Sequence, residues 1–282
     1  MVHPISPRTT IDVTMDQQNS LLLTYPYVEP YTSEYYEYIR KGALSSARVV
    51  SSLVVQLYYP RTIVDLGCGT GEWLRAFSEL GVTDVLGVDA EHLSAERLSI
   101  PSERFQVADL SKPFRLANTF DLAISLEVAE HLPPERSHTF VEDLCALSNV
   151  VLFSAAVPGQ GDEKTQGHYS LRWQSWWAAQ FSLQNYEAVD CVRPVVWNDE
   201  RVEPWYAQNA ILYIDRATLT QHEPLREAKV RFGSFPLDVV HPRRDLVSLG
   251  VLRQRKAEWG KKRARLKNRI KRLQRRLEER GG

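Results

Sequence analysis

The 282-residue sequence has no apolar run of the roughly 18 residues a membrane-crossing helix requires, which sets aside the helical membrane classes. Met1 to Asn19 is polar and proline-containing, without a basic segment followed by an apolar one, so no secretory leader is read there and the expected compartment is the cytoplasm. Cysteine is scarce: Cys68, Cys145 and Cys191 are scattered without CxxC spacing, so neither a disulfide framework nor a thiolate zinc site is suggested. Net charge is absent too, with 35 basic and 35 acidic side chains. That zero conceals a separation, because Leu252 to Gly282 holds fourteen Lys or Arg against three Glu, leaving +11 there and −11 on the remainder. A basic appendage on an acidic body is expected to have a partner of its own. What is present in ordinary amount is core material: 43% hydrophobic and 25% charged residues exclude wholesale disorder.

Residues 1–30 carry Pro4, Pro7, Pro26 and Pro30 and read as an irregular arm with one docked segment around Leu21 to Tyr25. From Thr32 to Tyr59 the apolar residues recur near helical spacing, as one long helix or two broken near Gly42. Strands are then expected at Thr62 to Leu66, Val85 to Val88, Arg104 to Val107, Phe120 to Ser125, Asn149 to Ser154, Tyr186 to Val192 and Ala210 to Asp215. Helices separate the early ones, with further helices at Pro134 to Leu147 and Trp173 to Leu183 and an irregular excursion from Pro194 to Trp205. This alternation predicts an α/β fold with a doubly wound, mostly parallel seven-stranded sheet. The domain is placed at residues 31–215, followed by a linker or extension at 216–251 and a basic helix at 252–282.

The run Gly67-Cys68-Gly69-Thr70-Gly71 directly follows a buried strand and opens a helix, a geometry that lets backbone approach a nucleotide-like ligand. Asp65, inside the preceding strand, would repel a pyrophosphate but suits a ligand with a positive centre. Asp89 ends the next strand, 24 residues after Asp65, where a carboxylate can accept two ribose hydroxyls. Asp109 ends the third strand, where it can accept from an adenine amino group. Together, Val64-Asp65-Leu66-Gly67-Cys68-Gly69-Thr70-Gly71, Gly87-Val88-Asp89, Ala108-Asp109-Leu110 and Phe120-Asp121-Leu122 resemble the successive motifs of the class I S-adenosylmethionine-dependent methyltransferases, with a Rossmann-like fold, over about Thr62 to Asp215. That resemblance implies S-adenosylmethionine as cofactor. It places Asp65, Gly67, Cys68, Gly69 and Gly71 at the methionine end, Asp89 at the ribose, Asp109 with Leu110 at the adenine, and Leu126 on the other ring face.

The fourth strand runs into Glu127, Glu130 and His131, spaced i, i+3 and i+4, which one helical turn would bring onto a single face. His168, after the fifth strand, belongs to the same end of a parallel sheet. Two carboxylates and imidazoles suit a divalent ion. The set is similar to the E-x-x-E-H plus later His pattern of metal-assisted O-methyltransferases, including those acting on the terminal ribose of small RNAs and some of quinone biosynthesis. This resemblance implies Glu127, Glu130, His131 and His168 as ligands of Mg²⁺ or Mn²⁺, with Glu127, His131 and His168 at the chemistry. A metal-free alternative makes His131 or His168 the base or an acceptor clamp, and in a third reading the His merely caps a loop.

Phe153 to Phe181, with Ala155-Ala156-Val157-Pro158-Gly159-Gln160-Gly161, and later Trp205-Tyr206-Ala207-Gln208-Asn209, resemble a bacterial methyltransferase subgroup that accompanies sugar and surface-glycan pathways. The chain departs from it at Asp162 and at Ser170-Leu171-Arg172. The expected reaction is O-methylation of a sugar-like small molecule or glycan. An RNA ribose methyltransferase and a catalytically silent interaction subunit are the rivals. Trp173, Trp176, Trp177, Trp197 and Trp205 are read as a sugar-stacking surface or as core, with core favoured for Trp176 and one neighbour. In the tail, Leu252, Trp259, Leu266 and Leu273 lie seven residues apart, with Ile270 and Leu277 on a second seam interrupted by Lys256 and Arg263. The readings are a solvated basic helix, a coiled coil joining another copy or partner, and a surface for RNA or an anionic membrane.

Overall fold

Side chains alternate across a strand, so a sheet covered on both faces needs strands that are buried at nearly every position. The computed structural model, which describes residues 33–90, 97–161, 167–233 and 235–243, meets that requirement in Thr62–Leu66 (β1), Leu122–Leu126 (β4) and Val150–Ser154 (β5), almost wholly buried. With Asp84–Asp89 (β2), Phe105–Val107 (β3), Tyr186–Val189 (β6) and Ile211–Asp215 (β7) they form one seven-stranded sheet in the order β3-β2-β1-β4-β5-β7-β6. β1 to β5 pair in parallel, and β7 lies antiparallel between β5 and β6. The expected doubly wound, mostly parallel sheet is therefore what folds.

Successive strand residues feed two cores. Ile63, Leu122, Ile124 and Leu152 pack beneath Ser33–Leu57 (α1) and Glu72–Glu79 (α2). Their neighbours Val64, Ala123, Val151 and Phe153 pack on the other face beneath Arg136–Leu147 (α3) and Gln174–Leu183 (α4). Each of these side chains larger than alanine contributes about 1.5–3 kcal/mol by leaving water. α1 passes unbroken through Gly42, because this glycine accommodates a neighbour: a Cβ there would lie 2.5 Å from the Glu203 carboxylate.

Two expectations change. The strand read as Tyr186 to Val192 stops at Val189, where Asp190 turns to form a bidentate pair at 2.9 and 2.6 Å with the wholly buried Arg193. The excursion after it contains two short helices, Arg193–Val196 (α5) and Pro204–Asn209 (α6). Helical packing also continues past Asp215, in Arg216–Gln221 (α7) and Glu223–Phe232 (α8), whose Leu219, Leu225 and Ala228 enter the first core. Asp215 caps α7 by accepting from the Ala217 and Thr218 amides at 3.0 and 3.1 Å. Asp215→Ala is expected to lower stability by about 1 kcal/mol, measured as a shift in urea midpoint at constant slope. Among the described residues no helix is long and apolar enough to cross a membrane. The N-terminal arm, Asp162 and the basic tail with its heptads lie outside the described residues.

Candidate active site

The turn after β1 is left-handed three times, with φ of 81°, 55° and 90° at Gly67, Gly69 and Gly71. The first two glycines differ in what surrounds them. A Cβ on Gly67 would sit 2.3 Å from Val128 Cγ2, whereas one on Gly69 would meet nothing within 4 Å. Gly67 is thus required by packing, and Gly69 borders open space. The turn is tied to the end of β2: the Gly67 and Cys68 amides donate to the Val88 carbonyl at 2.8 and 3.2 Å, and Gly69 N–H donates to Asp89 Oδ2 at 2.7 Å.

Carboxylates gather around this turn. Asp65 is 2% exposed, and its Oδ2 has no hydrogen-bond partner among the described residues. Buried Glu72, at the start of α2, accepts from Thr70 Oγ1 at 2.7 Å and Ser99 Oγ at 3.0 Å, with Arg40 Nε 3.8 Å away. Burial, then the charges of Asp89 and Glu72, push the Asp65 carboxyl well above the usual carboxylate range. Such a place gains most from a cationic ligand. The Cys68 thiol is pushed upward mainly by burial and stays an unreactive S–H.

The third strand-end acid is differently placed. Asp109 follows the exposed edge strand β3, and its carboxylate accepts from Ser111 N–H at 3.0 Å, Ser111 Oγ at 2.5 Å and Lys112 Nζ at 3.0 Å. These contacts, the Ser111 hydroxyl foremost, lower it to about 2. Leu110 next to it is buried, and buried Arg136 clamps this loop to α3 by donating to the Leu110 and Lys112 carbonyls at 3.1 and 3.0 Å while pairing with buried Asp143. Leu126 is buried at the end of β4.

At Glu127 the chain takes φ 56°, a left-handed conformation that costs a non-glycine residue about 1–2 kcal/mol. A 3₁₀ turn follows at Ala129–His131. The single helical turn expected over Glu127 to His131 therefore does not form, and Glu127 stays beside the Glu130 carboxyl without joining the group that Glu130 makes with the two imidazoles. Its carboxylate accepts from Gln160 Nε2 at 2.6 Å and Asn209 Nδ2 at 3.1 Å. Glu130, His131 and His168 do converge: one ligand atom of each lies within 4.8 Å of the other two. The imidazoles meet edge to face at 4.8 Å, and each Nδ1 donates to a backbone carbonyl, His131 to Gly167 at 3.1 Å and His168 to Gln160 at 2.6 Å. That bond sets Nε2 as the lone-pair nitrogen of each ring. The Tyr169 and Ser170 amides donate to the Glu130 carbonyl at 2.7 and 3.0 Å, folding the loop after β5 onto the end of β4.

Burial raises Glu127 to about 7 against the pull of Asn209, Ser154 and Gln160, while burial and then the charge of Glu127 lift Glu130 well above its ordinary value. Desolvation lowers His131, opposed by its bond to Gly167. Val128, in the same stretch, is the residue that packs on Gly67, so the carboxylate–imidazole cluster adjoins the glycine turn.

Glu72, Gln160 and Asn209 were not singled out as site residues by sequence reasoning. Glu72 directly follows the glycine run, and Gln160 and Asn209 lie in the two segments that carry the subgroup resemblance, so their convergence on Glu127 had a signal. Among the tryptophans, Trp177 is core, packed against Phe153, and its neighbour Trp176 is half-buried against the same core, meeting Trp177 edge to face at 4.9 Å beneath Arg172. Trp197 packs on Phe235 and His241, Trp205 on Tyr206, and Trp173 is 41% exposed.

The profile of a methyltransferase-domain family, Methyltransf_23, matches residues 36–188. Among solved structures, the chain is similar to S-adenosylmethionine-bound CalS10, an amino pentose methyltransferase from Micromonospora echinaspora involved in calicheamicin biosynthesis, with TM-score 0.49 and 17% identity over 67% of this chain and 99% of that one. It is also similar to the methyltransferase domain of bacterial CtHen1-C, with TM-score 0.47 and 17% identity over 62% and 98%. Similarity to magnesium protoporphyrin IX methyltransferase from Synechocystis PCC 6803 has TM-score 0.46 and 18% identity over 67% and 87%. No curated protein sequence matches the chain.

Proposed function

Because the chain belongs to the class I S-adenosylmethionine-dependent methyltransferase family, we propose that it methylates a hydroxyl of a sugar or sugar-containing small molecule, assisted by a divalent ion at the end of β4. The observation that carries this reading is the juxtaposition, through Val128 and Gly67, of a carboxylate-lined turn with the Glu130–His131–His168 cluster. The turn fits S-adenosylmethionine: buried Asp65, whose Oδ2 has no hydrogen-bond partner among the described residues, suits its ammonium group together with Glu72, and the space beside Gly69 admits backbone approach. Asp89 is assigned the ribose hydroxyls and Leu110 and Leu126 the adenine faces, with Asp109 at its edge. The cofactor supplies an electrophilic methyl group on a sulfonium.

One carboxylate and two imidazoles with fixed tautomers suit Mg²⁺ or, better, Mn²⁺, and the buried Glu130 Oε2, without a hydrogen-bond partner among the described residues, is a donor such an ion would satisfy. An ion there would lower the pKa of an acceptor hydroxyl. Glu127, held by two amides, is assigned to orient that hydroxyl or take its proton. Exposed Tyr169 and Trp173, following His168 in the chain, offer faces on which a sugar ring can stack. The −11 charge of residues 1–251 disfavours the RNA alternative.

Transfer of label from S-adenosylmethionine into sugar, nucleotide-sugar and glycan pools, with RNA in parallel, tests the acceptor class; label in RNA alone reverses it. EDTA is expected to abolish transfer and Mn²⁺ to restore it, and Glu130→Ala to lower it at least roughly tenfold. Desolvation favours a neutral His131, which supports a second, metal-free reading with His131 as base. Indifference to EDTA combined with loss of activity in His131→Ala selects that one. Calorimetry showing no S-adenosylhomocysteine binding would point instead to a catalytically silent subunit.

A further inference from the structure

We propose that Gln208 is a positioning residue through which the segment 235–243, beyond the last strand, fixes the carboxylate of Glu127; its catalytic meaning rests on the role given to Glu127 above. The chain of contacts starts from a group that cannot be flipped. The backbone N–H of His241 donates to Gln208 Oε1 at 2.8 Å, in a region where Gln208 is wholly buried and His241 is 2% exposed. With its oxygen so engaged, Gln208 presents Nε2, which donates to Gln160 Oε1 at 3.1 Å and Asn209 Oδ1 at 2.9 Å. Those two amides in turn have only their NH₂ groups to offer, and both donate into Glu127, Gln160 at 2.6 Å and Asn209 at 3.1 Å. Amide orientation, usually ambiguous, is here propagated from a main-chain donor to a carboxylate that must accept at both oxygens. Buried chains of this kind polarise their members in one direction.

The segment that starts the chain is itself held through its backbone. Arg193 donates to the Pro236 and Leu237 carbonyls at 2.9 and 2.7 Å and to the Gln208 carbonyl at 3.1 Å, and Gln174 Nε2 donates to the Val239 carbonyl at 3.1 Å. Asp238 adds two bonds to Ser175, at 2.8 and 2.7 Å.

The test uses the full chain, labelled with ¹⁵N and with ¹³C at glutamate carboxyls. Gln208→Leu is expected to move the side-chain NH₂ signals of Gln160 and Asn209 and the Cδ signal of Glu127, while S-adenosylhomocysteine affinity stays within about twofold because the glycine turn is untouched. Glu127→Gln is expected to move the His241 backbone amide in return. Unmoved signals in folded Gln208→Leu overturn the proposal. Should that variant not fold, Gln208→Glu keeps the shape and the acceptor for His241 but removes the donor, and the same shifts are required of it. Transfer to whichever pool the wild type labels should fall at least about tenfold, with the KM for S-adenosylmethionine unchanged; transfer equal to wild type also overturns the positioning role. If the wild type labels no pool, the enzymatic reading fails and the spectra alone decide the coupling.

Discussion

Asp65→Asn is expected to weaken S-adenosylhomocysteine and S-adenosylmethionine binding about 100-fold, some 3 kcal/mol, while leaving the ligand-free fold as stable as before or more so. The two halves of this result have one cause. Asp65 is 2% exposed, one oxygen has no partner among the described residues, and Asp89 and Glu72 stand close enough to push its carboxyl upward. In the free protein the acid is a burden; only a ligand cation turns it into an asset. Linkage fixes the pH dependence. Because folding raises this carboxyl, the native state binds more protons than the unfolded chain, so ligand-free stability falls as pH rises from the ordinary carboxylate range through the raised value. Binding a cation favours the ionised form and expels the proton, so affinity rises over the same window. Calorimetry at several pH values checks both slopes, and both should flatten in Asp65→Asn. Equal affinity in variant and wild type would remove Asp65 from the cofactor site.

Gly67→Ala is expected to destabilise the protein by roughly 3 kcal/mol, since the new methyl group meets left-handed strain of about 1–2 kcal/mol and overpacking of similar size. The overlap is specific: the Cβ would lie 2.3 Å from Val128 Cγ2 and 2.7 Å from its Cγ1. Over a domain of this size the Tm should drop by about 6–12 °C. Gly69→Ala separates strain from ligand contact. With φ 55° and nothing within 4 Å of the added carbon, it should cost only about 1 kcal/mol in stability yet weaken S-adenosylhomocysteine binding, because the methyl enters the space the ligand approaches. Thermal melts with and without ligand distinguish the two. Similar melts for both variants would contradict the different surroundings of these glycines.

The sheet was legible because buried parallel strands announce themselves as short runs rich in apolar and β-branched residues bounded by turn residues, and Thr62–Leu66 matches its expected range residue for residue. Legibility failed where backbone conformation or neutral side chains decide. The spacing of Glu127, Glu130 and His131 presupposed a helical turn, and a left-handed residue at Glu127 displaces that pattern without leaving a mark in composition. Gln160, Gln208 and Asn209 carry no charge and no periodicity, yet Gln160 and Asn209 occupy the Glu127 carboxylate and Gln208 orients them. Trp176 and Trp177 are adjacent and chemically identical; only the rotation of α4 sends Trp177 to Phe153 and Trp176 to Arg172. The acids of successive strands look alike in sequence, but Asp65 is buried inside β1 and Asp89 accepts from the Gly69 amide of the glycine turn, whereas Asp109 follows the edge strand β3 and is bound by Ser111 and Lys112 of its own loop.

The torsion at Glu127 also constrains how this protein can be engineered. Glycine and asparagine tolerate that backbone best, and neither bears an acid, so selecting libraries for heat resistance alone would favour replacements at position 127 that relax the main chain. Hardier clones obtained in this way would be robust on a melting curve and would lack the carboxyl that Gln160 and Asn209 hold.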